Sequence, residues 1–245
     1  MAVHDEVAAW NNPEGLNPRG TVIVIPGRGE HPGVYERLGA RLGSDAYRVR
    51  VVGDPTVDAV RVTERVRAVI TDETLPAPHV LAGSDTGALF AAALVATGAV
   101  TADGLVLSGL PGTGPVTAAD WEGELDARTN CPTHRNRLSD DEDVRRGALW
   151  APPPSEWFGQ ADPTALDVPV LGLHGAEDVV SPLDAVRDWY AKVGSARLVG
   201  LAGTGHDALN NQTHRSAAAT VVLFLERLRQ GSEIVRDESA AETRR

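Results

Sequence analysis

"VLAGSDTGALF" occupies Val80–Phe90. A short apolar run meets Gly83, Asp85 and Gly87, then an alanine-rich segment. Small residues two places before and two after a central reactive side chain mark a sharp strand-to-helix turn, the nucleophile elbow. The central residue of such a turn is usually serine. Here it is Asp85, and the nearby serine, Ser84, stands one place early. This reading makes residues 79–83 a strand and 86–98 its helix, and the same rhythm extends in both directions.

Upstream, "TVIVIPG" (residues 21–27) reads as a buried strand stopped by Pro-Gly. A helical stretch follows with Val34, Leu38 and Leu42 in phase, then the strand "YRVRVVG" (47–53). A helix over 56–71 carries Val62, Val66, Val69 and Ile70 on one face. Downstream come the strands "GLVLSGL" (104–110), "VPVLGLHG" (168–175) and "ARLVGLAG" (196–203). A helix over 182–194 separates the last two, and "SAAATVVLFLERLRQ" (216–230) forms a closing helix. Apolar strands alternating with helices predict an α/β fold, a mostly parallel sheet of at least six strands covered on both faces. Residues 1–20 read as an irregular lead-in, and residues 231–245 as a polar, disordered tail. One domain over 1–230 is expected. Residues 111–167, rich in charge and proline, interrupt the rhythm at the end of a strand, where a lid would sit.

Composition narrows the function. The formal net charge of −11 argues against nucleic acid or an anionic membrane as partner. Aromatic residues are only 4% of the chain, so Ala, Val and Leu must fill the core. The single cysteine, Cys131, rules out an internal disulfide and a cysteine-based metal site. Glu30 and His31 lack further ligands at metal-binding spacing, so no metal and no cofactor are expected. No secretion signal and no membrane-length apolar run are visible, which gives a cytoplasmic protein, monomer or homodimer, acting on a small molecule.

In an open parallel sheet, ligands bind at the carboxyl ends of the strands. The segments found there are "PGRGEHPGVY", the Asp85 elbow, "HGAEDVVSP" with Asp178, and "GTGHDALN" with His206. The order nucleophile, acid, histidine is that of the α/β hydrolases. Over residues 20–228 the chain resembles the α/β-hydrolase superfamily. "GRGEHPGVYERLGARL", "HGAEDVVSP" and "GTGHD" look like the corresponding loops of its monoacylglycerol lipase and lysophospholipase-like branch. The resemblance implies Asp85 at the nucleophile position, His206 as base and Asp178 as the carboxylate that orients it. It also implies an oxyanion hole made by the backbone N–H groups of Arg28 and Thr86.

Aspartate at this position changes the chemistry. A carboxylate of pKa about 4 is a better leaving group than an alkoxide, so attack on an ester collapses back to substrate. Displacement at a saturated carbon gives instead an alkyl-enzyme ester, which water activated by His206 then cleaves. Haloalkane dehalogenases and epoxide hydrolases of this fold work so. The former place tryptophan after the aspartate, where this chain has Thr86. The latter use lid tyrosines, whereas Tyr35, Tyr47 and Tyr190 all lie outside 111–167.

Other readings stay open. Asp85 and His206 as acid and base would suit a cofactor-free lyase or cyclase, and a non-catalytic binder would keep the fold alone. Asp85 would serve equally as a helix N-cap. Ser84 would be the nucleophile of a shifted elbow flanked by Ala82 and Thr86, a poor steric fit. Arg28 reads as an exposed structural arginine, or one that faces an anionic substrate. Asp207 reads as a cap. Ser84, His134, Trp121, Trp150 and Trp157 are candidates for the substrate pocket.

Overall fold

The computed structural model describes residues 7–114 and 117–235. The expectations for the first six residues and for 236–245 lie outside them. Seven strands form one sheet: β1 Ala8–Trp10, β2 Thr21–Ile25, β3 Arg48–Val51, β4 His79–Ser84, β5 Gly104–Ser108, β6 Val170–Gly175 and β7 Ala196–Leu201. Their order is β1-β3-β2-β4-β5-β6-β7, with β1 antiparallel to β3 and all other pairings parallel. The six parallel strands are those read from the sequence, five of them trimmed at their ends and β4 one residue longer than the expected 79–83.

β1 corrects the expected lead-in. It is three residues long, too short to show alternation, and its anchor is a tertiary contact. A Cβ on Gly39 would stand 2.3 Å from the Trp10 ring, so Trp10 lies flat against a glycine in the next helix.

The helices are α1 Glu36–Ser44, α2 Ala59–Thr71, α3 Thr86–Ala96, α4 Trp121–Arg128, α5 Pro132–Asp140, α6 Ser155–Gln160, α7 Leu183–Ala191 and α8 His214–Gln230. Strand alternation divides the core in two. Val22, Val24, Val49, Val51, Val80, Ala82 and Val106 face α1 and α8, while Ile23, Ile25, Leu81, Leu105 and Leu107 face α2, α3 and α7. β2, β5 and β6 are buried along their whole length and β4 from Val80 onward, which is why they read as apolar runs.

Residues 111–167 are bound into the body. Trp157 and Ala161 pack into the core beside Phe90, whose ring centroid is 4.6 Å from that of Trp157. α4 and α5 bury Leu125 and Leu138 against the opposite cluster. Of the tail from Gly231, the described part turns back beside α8, where Glu233 pairs with Arg227 at 3.2 Å.

The chain leaves β2 toward β3 on one side and returns to β4 on the other. The loops after β2 and β4 therefore part company at one crevice, the usual place for a site. The approach of α3 to β2 and β4 there depends on two glycines. A Cβ on Gly87 would lie 2.2 Å from the Ile25 carbonyl oxygen, and one on Gly83 would lie 2.3 Å from that of Gly87. Because the obstructing atoms are backbone, the cost exceeds the ~1–3 kcal/mol typical of an overpacked side chain. Gly87→Ala is expected to abolish the cooperative thermal transition or lower its midpoint by more than about 10 °C, read by circular dichroism.

Candidate active site

Asp85 joins β4 to α3 with φ 50° and ψ −125°. A non-glycine residue there carries strain of about 1–3 kcal/mol. Its N–H donates to the Ser108 carbonyl at 2.9 Å, which fastens the turn to β5. Its side chain makes no capping hydrogen bond to α3, so the N-cap reading fails. Ser84 is the last residue of β4 and the positive φ of the turn falls on Asp85, so the shifted elbow fails too.

The Asp85 carboxylate is buried and held by one residue above all. The Arg28 backbone N–H donates to Oδ2 at 3.0 Å, Arg28 Nε donates to the same oxygen at 2.7 Å, and Nη2 donates to Oδ1 at 2.7 Å. This is a bidentate fork on top of the oxyanion-type backbone donor. Arg28 is 3% exposed, which corrects its reading as a surface arginine. Thr86 opens α3 and is buried beside it, with its hydroxyl 3.5 Å from Oδ2. Burial pushes the Asp85 carboxyl up, but the Arg28 charge and His206 outweigh it and hold the group well below the usual carboxylate range.

His206 follows β7 and Asp178 follows β6. The His206 Nδ1 lies 2.8 Å from Asp178 Oδ2, and Nε2 lies 3.3 Å from Asp85 Oδ1. Asp178 is aimed by its own turn: Oδ1 accepts the N–H groups of Val180 and Ser181, each at 2.9 Å. Its neighbour Glu177 is exposed. Gly109, after β5 at φ 56°, makes room for the imidazole, since a Cβ there would stand 3.0 Å from His206 Cε1. Burial pushes His206 down, yet the two carboxylates prevail and hold it at about 10. The resting site thus pairs two cations, Arg28 and His206, with two anions, Asp85 and Asp178.

A second buried network sets the Arg28 loop. Arg128, at the end of α4, donates from Nη2 to the Arg28 carbonyl at 2.7 Å and to Glu124 Oε1 at 3.0 Å. With its carbonyl so held, the Arg28 peptide lies under that lock while its N–H meets Asp85. Glu30 Oε2 accepts from the Gly27 N–H at 3.0 Å and from the Tyr35 hydroxyl. Asp207, read as a cap, is instead buried between Arg128, at 3.5 Å, and His134, at 3.0 Å. Ligand-type atoms of Glu30, His134 and Asp207 lie within 4.8 Å of one another, with Arg128 Nη1 3.7 Å from Glu30 Oε1. The guanidinium already supplies positive charge there. The histidine loop hangs on α4 as well, since the His206 N–H donates to Ala127 and the Asp207 N–H to Arg128. None of Arg128, Glu124 or Gly109 was singled out from the sequence. The "Glu-x-x-x-Arg" spacing of an i,i+4 pair was the available signal for the first two.

A cavity of about 440 Å³ meets the site at Arg28 and is lined also by the 111–114 turn, Trp150, Ala151, Ser155, Phe158 and Val180 among others, with Asp85 and His206 behind the guanidinium and outside its lining. Among the described residues that line it, Arg28 is the only charged one. Of the pocket candidates, Trp150 lies on this wall. Trp157 is in the core, and Trp121 packs on the opposite cluster under the Arg146 guanidinium, 5.0 Å away. His134 is bound to Asp207, and neither it nor Ser84 is in the cavity lining.

With strand order, elbow and loop positions in place, solved structures give the comparison. The chain superposes on the monoacylglycerol lipase of Paleococcus ferrophilus with a TM-score of 0.71 at 17% identity, covering 93% of this chain and 99% of the other. The chain has the α/β-hydrolase fold. A soluble variant of the Saccharomyces cerevisiae monoglyceride lipase, with a substrate analogue, gives 0.72 at 14% identity over 91% of each chain. An esterase from Rhodococcus gives 0.65 at 18%, over 91% of this chain and 99% of the other. No family model matches the sequence, and no curated protein matches it. The likeness carries the fold and is silent on the residue at the elbow. Among the described residues no helix is long and apolar enough to cross a membrane.

Two outcomes are expected. Replacing Arg128 by Met leaves Glu30, Glu124 and Asp207 without their shared cation, and should lower unfolding stability by about 3–5 kcal/mol in urea titration. The His206 imidazole should titrate near pH 10 by NMR. A folded-state value above the ordinary 6.5 stabilises the fold fully below pH 6.5, and this is lost as pH rises through 10. The gap in Tm between the parent and His206→Gln should therefore be widest below pH 6.5 and close toward pH 10.

Proposed function

We propose that the protein is a hydrolase for a small organic molecule, with Asp85 as a covalent nucleophile that attacks a saturated carbon. The observation that carries this reading is the strained Asp85 turn, whose carboxylate neglects its own helix and faces a His206–Asp178 pair. A strained, buried carboxylate paired with a guanidinium that meets a cavity of substrate size is a site-like arrangement. The lipases and esterases that share the fold support hydrolysis as the reaction class.

The two carboxylate oxygens have different tasks in this reading. Oδ2 accepts both the Arg28 N–H and Nε, whereas Oδ1 accepts only Nη2 and faces His206, so Oδ1 is assigned the new C–O bond while the leaving group departs with its electron pair. The ester then has Oδ2 as its carbonyl oxygen, already on the donor that stabilises an oxyanion. Alkylation also removes the negative charge facing His206 Nε2. The imidazolium then sheds its proton to solvent and becomes a base. It takes a proton from water as the hydroxide adds to the Asp85 carboxyl carbon. The tetrahedral intermediate collapses with loss of the alcohol, which takes up the remaining carboxyl proton. Asp85 is regenerated, and one water is consumed.

The test is to stall the second step. His206→Gln protein, exposed to epoxides, haloacids and activated esters, should gain the mass of one substrate fragment on the Asp85 peptide. In unmodified protein, a single turnover in ¹⁸O-labelled water should place the label in Asp85 and not in the product. Label in the product of that first turnover would mean direct attack by water, and would move Asp85 to an acid–base role.

A further inference from the structure

Arg28 is poised to do more than hold the nucleophile. A guanidinium has two hydrogen-bonding forks, Nε with Nη2 and Nη1 with Nη2. Asp85 occupies the first, through Nε at 2.7 Å and Nη2 at 2.7 Å. On the second, Nη1 donates to the Ala151 backbone carbonyl, a neutral acceptor that itself lines the cavity. A carboxylate is a better partner for that fork, because it can accept from Nη1 and Nη2 together and brings an opposite charge that a carbonyl lacks. The cavity wall offers no competing charge, since the other described lining residues are uncharged. The cavity thus combines an uncharged wall that suits a compact organic body with one cationic edge at its inner end.

Charge balance leads to the same conclusion. At rest, Arg28 and His206 balance Asp85 and Asp178. Converting Asp85 to an ester deletes one negative charge and leaves the buried site with a net positive charge. Buried unpaired charge is costly. When His206 sheds its proton the net charge returns to zero, but Arg28 has lost its anionic partner, and an anionic group on the bound molecule supplies one.

From this we infer that Arg28 is the specificity-determining residue of the site, and that the substrate is a small carboxylic acid whose carboxylate takes the Nη1–Nη2 fork. The leaving group would then be on the carbon next to that carboxylate, because two carboxylates that share Nη2 bring that carbon toward Asp85 Oδ1. The step itself is the displacement already described: Oδ1 bonds to carbon, and the leaving group departs as an anion. The inference rests on the nucleophile reading for its chemistry, but its recognition half stands apart and is tested separately.

Recognition is measured on the unmodified chain. Propanoate and its neutral counterpart propanamide are titrated against intrinsic tryptophan fluorescence, to which Trp150 on the cavity wall contributes. Saturable quenching by propanoate, at least tenfold tighter than by propanamide, is expected. Equal or absent responses would overturn the inference. Chemistry is measured in the His206→Gln background with chloroacetate and chloroacetamide, each rate scaled to its reaction with a free carboxylate in solution. Only adducts on the Asp85 peptide are counted, which sets aside alkylation of Cys131. The anion should label Asp85 at least tenfold faster, and Arg28→Gln should bring the ratio to within about twofold of unity. Equal labelling with Arg28 present would discard the inference and leave the nucleophile standing. Binding of propanoate with no Asp85 adduct from either reagent would do the reverse.

Discussion

At the carboxyl edge of β4 two stretches of backbone come so close that no side chain fits between them. Gly83 and Gly87 permit that contact, and Asp85 absorbs the resulting turn at φ 50°. Everything else at the site is referenced to it. α3 is driven against β2 and β4, the loop after β2 is brought over the elbow, and the Asp85 carboxylate is lifted off its helix and into the crevice. The strain is of order 1–3 kcal/mol, small beside the burial of Leu81, Leu89 and Leu105 around it, at ~1.5–3 kcal/mol for each side chain. The sheet can therefore hold a residue in a conformation that the residue alone would not choose.

The charges around the elbow form two linked layers. In the inner one Asp85 lies between Arg28 and His206, with Asp178 behind the imidazole. In the outer one Arg128 gathers Glu30, Glu124 and Asp207, and its bond to the Arg28 carbonyl couples the layers. α4 supplies both Arg128 and the carbonyls that hold the histidine loop. The segment between β5 and β6 is therefore part of the site's foundation as well as its roof. Burying this many charges offers little gain in stability over an apolar core. What it provides is orientation, since every guanidinium and carboxylate here has few alternative poses.

Much of this was legible in the sequence, and the reason is periodicity. Four of the parallel strands, β2, β4, β5 and β6, are nearly continuous apolar runs, and helical stretches separate the strands, so their order along the chain can be read directly. Asp85, Asp178 and His206 could be named because each follows a strand, and strand ends converge in this architecture. The unread parts are those that depend on contacts between distant segments. β1 is defined by Trp10 lying on Gly39, twenty-nine positions away, with no local signal. The burial of Arg28 and Arg128 could not be inferred either, because an arginine is exposed by default and only its partners reverse that. The tryptophans of 111–167 look alike in the sequence, yet Trp150 lines the cavity while Trp157 fills the core. Which face of a short helix turns inward is a property of the packed molecule.

The exchange of a hydroxyl for a carboxylate at an elbow explains why the rest of the site differs from a serine hydrolase in kind. Serine leaves its oxyanion donors free for the substrate's carbonyl oxygen. Asp85 brings its own second oxygen into that place, where the Arg28 N–H receives it at 3.0 Å. A substrate ester would therefore meet an N–H already occupied, and a carboxylate that leaves more readily than its own alkoxide. In the covalent scheme proposed above, that N–H serves the later step, when the enzyme's own ester is the carbonyl under attack. The same substitution raises the charge at the elbow by one unit, and the bidentate Arg28 and the imidazolium form of His206 are the counterweights. In the covalent scheme proposed above, alkylation of Asp85 removes the charge that holds the His206 proton and so frees that imidazole to act as a base, while Arg28 loses its anionic partner and favours a bound group that is itself negative.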